Sequence, residues 1–190
     1  MSQKNFLYLT VLSEGLLLCT AIILAWYFSI PLWSRISIEL TDVSLGVAVA
    51  LAMAIFAIWA LKSDLALFSQ LKKDTRHVVR LLQDFGIAPI LCVSMAAGLC
   101  EELLFRGVFQ ILFTDWFGLS AGLVLASFFF GLAHMISLSY VIYVSIFGLA
   151  LGCMYVWTGN LLGPIIAHFL YDLIMLYWAV RIQWPASGRQ

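Results

Sequence analysis

The stretch GIAPILCVSMAAGLCEELLFRGVFQILF, residues 86–113, places three charged side chains inside an otherwise apolar run. A run of about 20 apolar residues is long enough to cross a membrane as a helix. Glu101, Glu102 and Arg106 lie near the middle of this run. A charge at that depth costs roughly 2.5–3.5 kcal/mol on insertion scales, and such residues are usually functional. The stretch therefore predicts a membrane-spanning helix that carries a buried ionisable group.

The composition extends this prediction to the whole chain. Of its 190 residues, 64% are hydrophobic and 11% are charged, whereas soluble domains carry about 25% charged residues. The apolar runs are continuous and lack β-barrel alternation, so we predict an all-α fold, a polytopic transmembrane helical bundle of about six spans. The predicted spans are Phe6–Phe28, Val43–Leu61, Phe85–Phe113, Leu119–Ser137, Tyr140–Trp157 and Leu161–Val180. We expect one transmembrane domain over residues 1–190, with the functional core at about 85–180.

The distribution of charge indicates the orientation and the partners. A formal net charge of zero argues against a nucleic-acid partner. Basic residues concentrate between Lys62 and Arg80, and the positive-inside rule places such a loop in the cytoplasm. Six spans then put both termini in the cytoplasm as well. Apolar residues recur at helical spacing within this loop, which favours a helix lying on the inner membrane surface in contact with lipid; a solvated linker is the alternative.

The spacing of the charged residues within 98–107 predicts different roles for the two glutamates. Glu102 and Arg106 are four residues apart with the glutamate first, which is the favourable order for an ion pair on a helix. Glu101 is rotated by about 100° from Glu102, so it cannot serve Arg106 equally well. We expect Glu101 to point elsewhere.

Two later predicted helices also carry ionisable side chains. Phe130 and His134 are four residues apart in FFFGLAH, and His168 and Asp172 are four residues apart in GNLLGPIIAHFLYD. Each pair therefore shares one face of its helix. The predicted depths in the membrane agree within about 10 Å at 1.5 Å per residue, so we expect these side chains to meet Glu101. Glu14 interrupts the first span, and the sequence assigns no role to it.

The pattern E-E-x-x-x-R, then F-x-x-x-H, then H-x-x-x-D on successive helices resembles the CPBP family of intramembrane proteases. This family includes the type II CAAX prenyl proteases, bacteriocin-processing and immunity proteins, and abortive-infection proteins. The resemblance covers Glu101 to Asp172, and the first 84 residues carry no specific likeness. The prenyl proteases usually carry asparagine where this chain has Asp172, whose carboxylate would interact with a protonated His168.

The resemblance implies an endopeptidase that hydrolyses a peptide bond in a hydrophobic, lipidated or membrane-anchored substrate. Water would be held and activated by Glu101 and His134, while the oxyanion side would be framed by His168 and Asp172. The implied supporting residues are Glu102, Arg106 and Phe130.

Several alternatives stay open at this point. A glutamate and two histidines are acceptable zinc ligands, but the chain lacks an H-E-x-x-H pair. We favour a mechanism with no metal and no cofactor, and zinc is the alternative. The same motifs could belong to a non-catalytic immunity or membrane-partner protein, to a proton-coupled transporter, or to a structural ion pair. Small size favours a multi-pass protein of the bacterial inner membrane.

Overall fold

The computed structural model describes residues 3–83 and 85–185, and its regular elements within this part of the chain are all helices. Seven helices follow one another along the described residues. They are α1 (Gln3–Tyr27), α2 (Leu40–Lys62), α3 (Ser69–Leu82), α4 (Ile87–Phe117), α5 (Leu119–Ala133), α6 (Leu138–Thr158) and α7 (Leu162–Trp178). α4 contains a π-type turn at Phe105–Phe109, and a second such turn at Ala179–Gln183 extends α7.

Five helices of the described part, α1, α2, α4, α6 and α7, are long and apolar enough to cross a membrane. The all-α polytopic bundle is therefore confirmed. The predicted fourth span is shorter than expected, because α5 has only 15 residues, or about 22 Å at 1.5 Å per residue. It ends before Ser137, whose side chain instead caps α6 by accepting a hydrogen bond from the Tyr140 amide at 3.2 Å. His134 consequently lies at a break between two helices.

The close approach of α4 and α7 depends on Gly98. A Cβ atom at this position would lie 2.8 Å from the backbone nitrogen of Phe169 on α7, which is closer than any side chain tolerates. Small residues at helix contacts let the backbones of membrane helices pack directly. This contact brings the turn of α4 that carries Glu101 and Glu102 beside His168.

At the end of the bundle opposite α3, hydrogen bonds of Asn160 join the start of α2 to the start of α7. Its amide nitrogen donates to the Asp42 carboxylate at 2.6 Å and to the Ser37 carbonyl at 2.8 Å. Its amide oxygen accepts from the Leu162 backbone at 3.0 Å. The buried side chain thus accepts from a backbone N–H that the start of α7 would leave open, and it joins the starts of the two helices.

The helix predicted within the basic loop is α3. Its apolar side chains Leu71, Val79 and Leu82 are buried against the bundle. Asp74 is also buried, and its carboxylate accepts from Gln70 at 2.8 Å and from the Ser137 hydroxyl at 2.5 Å. α3 is therefore attached to the turn between α5 and α6, close to His134.

The orientation predicted from the basic loop can be measured by cysteine labelling. Ser69, at the start of α3, and Ser120, at the start of α5, are both exposed and lie at opposite ends of the bundle. In right-side-out cells we expect a membrane-impermeant maleimide to label Ser120→Cys and to label Ser69→Cys only after permeabilisation. The parent chain supplies the background from its own four cysteines. Labelling of Ser69→Cys in intact cells would reverse the orientation.

Candidate active site

Glu101 and His134 face each other across the bundle. Glu101 lies on α4 and is buried, and its Oε2 atom is 3.4 Å from His134 Nε2. His134 directly follows α5, and its Nδ1 atom lies 2.9 Å from the Phe130 carbonyl. A carbonyl oxygen can only accept a hydrogen bond, so Nδ1 carries a proton. Nε2 is then the ring nitrogen that faces Glu101. Glu101 Oε2 has no hydrogen bond within the described residues, so its hydrogen-bonding capacity is unused there.

Glu102 contacts two basic side chains, those of Arg106 and His168. Its Oε1 atom accepts from Arg106 Nη1 at 2.7 Å, as the spacing on α4 predicted, and it contacts His168 Nδ1 at 2.8 Å. The Glu102 side chain is fully buried and that of Arg106 is 1% exposed. The sequence interpretation missed the contact between Glu102 and His168. Glu102 therefore orients His168 in addition to neutralising Arg106.

The guanidinium of Arg106 is further held from α6 and α5. Its Nη2 atom donates to the Gly148 carbonyl at 2.8 Å, and its Cζ atom lies 4.3 Å from the centroid of the Phe130 ring. Arg106 belongs to the π-type turn of α4, a feature that is frequent at functional sites. A side chain on Gly148 would crowd the guanidinium, because a Cβ atom there would lie 3.0 Å from Nη2.

Phe130 packs among both histidines, as expected for a supporting residue. Its ring centroid lies 4.9 Å from that of His134 and 5.6 Å from that of His168. Asp172 completes the group from α7, with Oδ2 3.7 Å from His168 Nε2. This separation exceeds a hydrogen bond, and the Asp172 side chain is 28% exposed. Glu102 thus makes the direct contact with His168, and Asp172 borders the open side of the ring.

These side chains line a cavity of about 240 Å³ inside the bundle. Glu101, His134, His168 and Asp172 all contribute to its wall. The structure therefore brings together the four residues that the sequence predicted to be catalytic. Their catalytic roles stay a prediction.

The cavity also contains polar residues that the motifs did not indicate. Glu14 of α1 is buried on its wall, and its Oε2 atom has no hydrogen bond within the described residues. Three tyrosines line the same cavity, Tyr140, Tyr143 and Tyr171, and the hydroxyls of the last two are 2.6 Å apart. In the sequence, Glu14 stands out as a carboxylate within an apolar span. The three tyrosines follow no spacing pattern that would have indicated their place in the cavity.

A zinc ion was the alternative to a metal-free site. Within the described residues, no three histidine, cysteine or acidic side chains are grouped as ligands of one metal ion. Glu102 already occupies His168 Nδ1, and a catalytic zinc needs three protein ligands converging on one point. The metal-free mechanism and the zinc alternative both stay predictions.

The bundle and its buried carboxylate–histidine group define a multi-pass helical membrane protein with polar side chains gathered at membrane depth. Residues 83–174 match the family model for type II CAAX prenyl endopeptidase Rce1-like proteins. This segment is just under half of the chain and holds all seven predicted site residues. The resemblance identified from the motifs is therefore confirmed over residues 83–174.

One curated relative is the Uncharacterized protein YpbD of Bacillus subtilis (strain 168). It is 37% identical over 92 residues, which are 47% of this chain and 44% of that protein. The match thus spans less than half the length of this curated relative. No solved structure matches the chain.

Proposed function

We propose that this protein is an intramembrane endopeptidase that hydrolyses a peptide bond in a hydrophobic, lipidated or membrane-anchored substrate. The observation that carries the proposal is the pairing of Glu101 and His134, 3.4 Å apart on the wall of a cavity within the helical bundle. Amide hydrolysis needs a water molecule held beside a base. Glu101 Oε2 makes no hydrogen bond within the described residues, and His134 presents a ring nitrogen toward it.

In this mechanism Glu101 takes the proton from water, and His134 Nε2 holds that water in line with the substrate carbonyl. The hydroxide adds to the carbonyl carbon and the charge moves to the carbonyl oxygen. The proton held by Glu101 then passes to the leaving amine as the carbon–nitrogen bond breaks. A side chain that first accepts and then returns a proton is the usual pattern of general acid–base catalysis.

The oxyanion is stabilised from α7. In its doubly protonated form, His168 donates through Nδ1 to Glu102 at 2.8 Å and presents Nε2–H to the cavity. A fixed donor aimed at the developing charge is typically the largest electrostatic contribution to such a reaction. The Glu102–Arg106 pair fixes the direction of this donor, since both side chains are buried and bonded to each other. No metal ion and no cofactor takes part.

The depth of the site selects the substrate. The cavity is lined by aromatic and aliphatic side chains as well as by the polar group, so an apolar or lipidated segment can enter beside the scissile bond. We propose that the protein lies in the membrane of a bacterial cell, with both of its termini in the cytoplasm. The substrate would lie in the same membrane. Prenylated peptides, bacteriocin leaders and C-terminal membrane tails share the required chemistry.

The proposal is tested with purified protein in proteoliposomes and a panel of three fluorogenic peptides. One peptide carries a farnesylated cysteine near its C-terminus, one an acyl chain, and one an unmodified apolar tail. We expect cleavage of at least one member by the parent protein, unaffected by 1,10-phenanthroline. Inhibition that zinc reverses would contradict the metal-free mechanism. A pH-dependent proton flux without cleavage of any peptide would favour a transporter.

Asp172 is expected to tune the reaction rather than to perform it. Because its carboxylate is 3.7 Å from His168 Nε2, Asp172→Ala should cost less than the ~10²–10³-fold typical of losing a direct oxyanion donor. We expect Asp172→Asn to retain most of the turnover, since it keeps the size and one accepting oxygen. The ratio of kcat for parent and variants measures this role. A loss with Asp172→Ala as severe as that of His168→Ala would contradict this tuning role, because turnover would then depend on Asp172 as strongly as on the oxyanion donor.

A further inference from the structure

A second polar cleft lies away from the cavity, at the end of the bundle that carries α3. Its wall includes the last residue of α2, Lys62, and three cations of α3, Lys72, Lys73 and Arg76. The cations at 73 and 76 and those at 72 and 76 are three and four residues apart, so they occupy one face of α3. The cleft encloses about 370 Å³. Four of the ten lysines and arginines of the chain thus converge on one site.

These four cations have no carboxylate partner within ion-pairing distance among the described residues. The acidic residue of α3, Asp74, is buried on another side of the helix and bonded to Gln70 and Ser137. Lys72 donates to the Ser63 carbonyl, and Lys62 lies 5.8 Å from the centroid of the Trp178 ring. Positive charge gathered without counter-charge attracts an anion to the cleft.

The position of the cleft indicates the kind of anion. Lys62 ends a membrane-crossing helix, so the cleft lies at the level of lipid headgroups. Trp184 also lines it, and tryptophan favours this interface. Basic pockets between helices at that depth bind the phosphate of anionic lipids. We propose that this cleft binds the phosphodiester headgroup of an anionic phospholipid.

The binding site is independent of the proposed peptidase activity, but the two sites share α3. The side chains of Val78 and Leu82 on α3 form part of the wall of the cavity that holds Glu101, while Lys72, Lys73 and Arg76 line the cleft. The two sites thus lie on different faces of one helix.

Lipid binding is measured by native mass spectrometry of the purified protein titrated with phosphatidylglycerol or phosphatidylcholine. We expect the parent to bind phosphatidylglycerol preferentially. The double variant Lys73→Gln, Arg76→Gln should weaken this binding by about 25-fold, since each of the two cations near an anionic headgroup contributes roughly fivefold. Lys73 and Arg76 make no hydrogen bond within the described residues and are exposed, so the fold should persist.

Three controls make the result specific. Arg80→Gln removes an exposed cation of α3 that does not line the cleft, and it should leave the affinity unchanged. The charge-retaining variant Lys73→Arg, Arg76→Lys should bind like the parent. Glycerol 3-phosphate in excess should not displace the lipid if the source is the membrane, whereas displacement would assign the cleft to a soluble phosphate. Equal affinity of the parent for the two lipids, or equal losses in Arg80→Gln and the double variant, would overturn the proposal.

Discussion

Replacing Glu101 by glutamine is expected to lower peptide cleavage by about 10²–10⁴-fold, the range typical of a lost general acid–base group. Glutamine keeps the size of the side chain but cannot take a proton from water. The folded state should persist, because Glu101 Oε2 makes no hydrogen bond within the described residues and Arg106 relies on Glu102 instead. The initial rate of cleavage in proteoliposomes and the melting temperature in detergent measure the two quantities separately.

The matched control for Glu101→Gln is Glu39→Gln. Glu39 is an exposed carboxylate directly before α2, outside the cavity, so the same chemical change there should leave the rate unaltered. His134→Ala should approach the loss of Glu101→Gln, since His134 faces the same point. Cleavage by Glu101→Gln at the parental rate would remove Glu101 from the role of base.

The sequence predicted contacts within single helices better than contacts between helices. The pairing of Glu102 with Arg106 and the placement of Phe130 one turn from His134 follow from the helical repeat alone, and both are observed. The contact of Glu102 with His168 depends on how closely α4 approaches α7, which Gly98 sets. No spacing along the chain encodes that distance.

Helix capping and helix packing also account for the other differences between the predicted and the observed structure. The predicted fourth span extends past the end of α5 because the segment after Ala133 remains apolar. The conformation of that segment is decided instead by the capping hydrogen bond of Ser137. Glu14 was visible as a charge in an apolar span, but its place on the wall of the cavity requires the packing of α1 against α4. The π-type turn that carries Arg106 has no signature in hydrophobic periodicity. A charged residue within an apolar span therefore indicates a functional site. Helix packing determines which other residues belong to that site.

The second large effect is expected on stability, from Glu102→Gln. This change leaves the guanidinium of Arg106 buried without a counter-charge, since its other polar contact is the neutral Gly148 carbonyl. An uncompensated buried charge typically costs about 3–5 kcal/mol. The free energy of unfolding in mixed micelles should fall by an amount in that range, while Glu101→Gln on the same helix serves as the matched comparison. Equal stability of the two variants would show that the Glu102–Arg106 pair does not support the fold.

A double variant separates the two tasks of Glu102. In Glu102→Gln, Arg106→Met both charges are gone, so no buried charge is left without a partner, and that unpaired charge is the main cost of the single variant. We therefore expect most of the lost free energy of unfolding to return. Cleavage should stay low, because the amide at position 102 cannot fix a protonated His168 as the carboxylate does at 2.8 Å. Recovery of both stability and cleavage would limit Glu102 to neutralising Arg106, and the orientation of the oxyanion donor would then fall to Asp172.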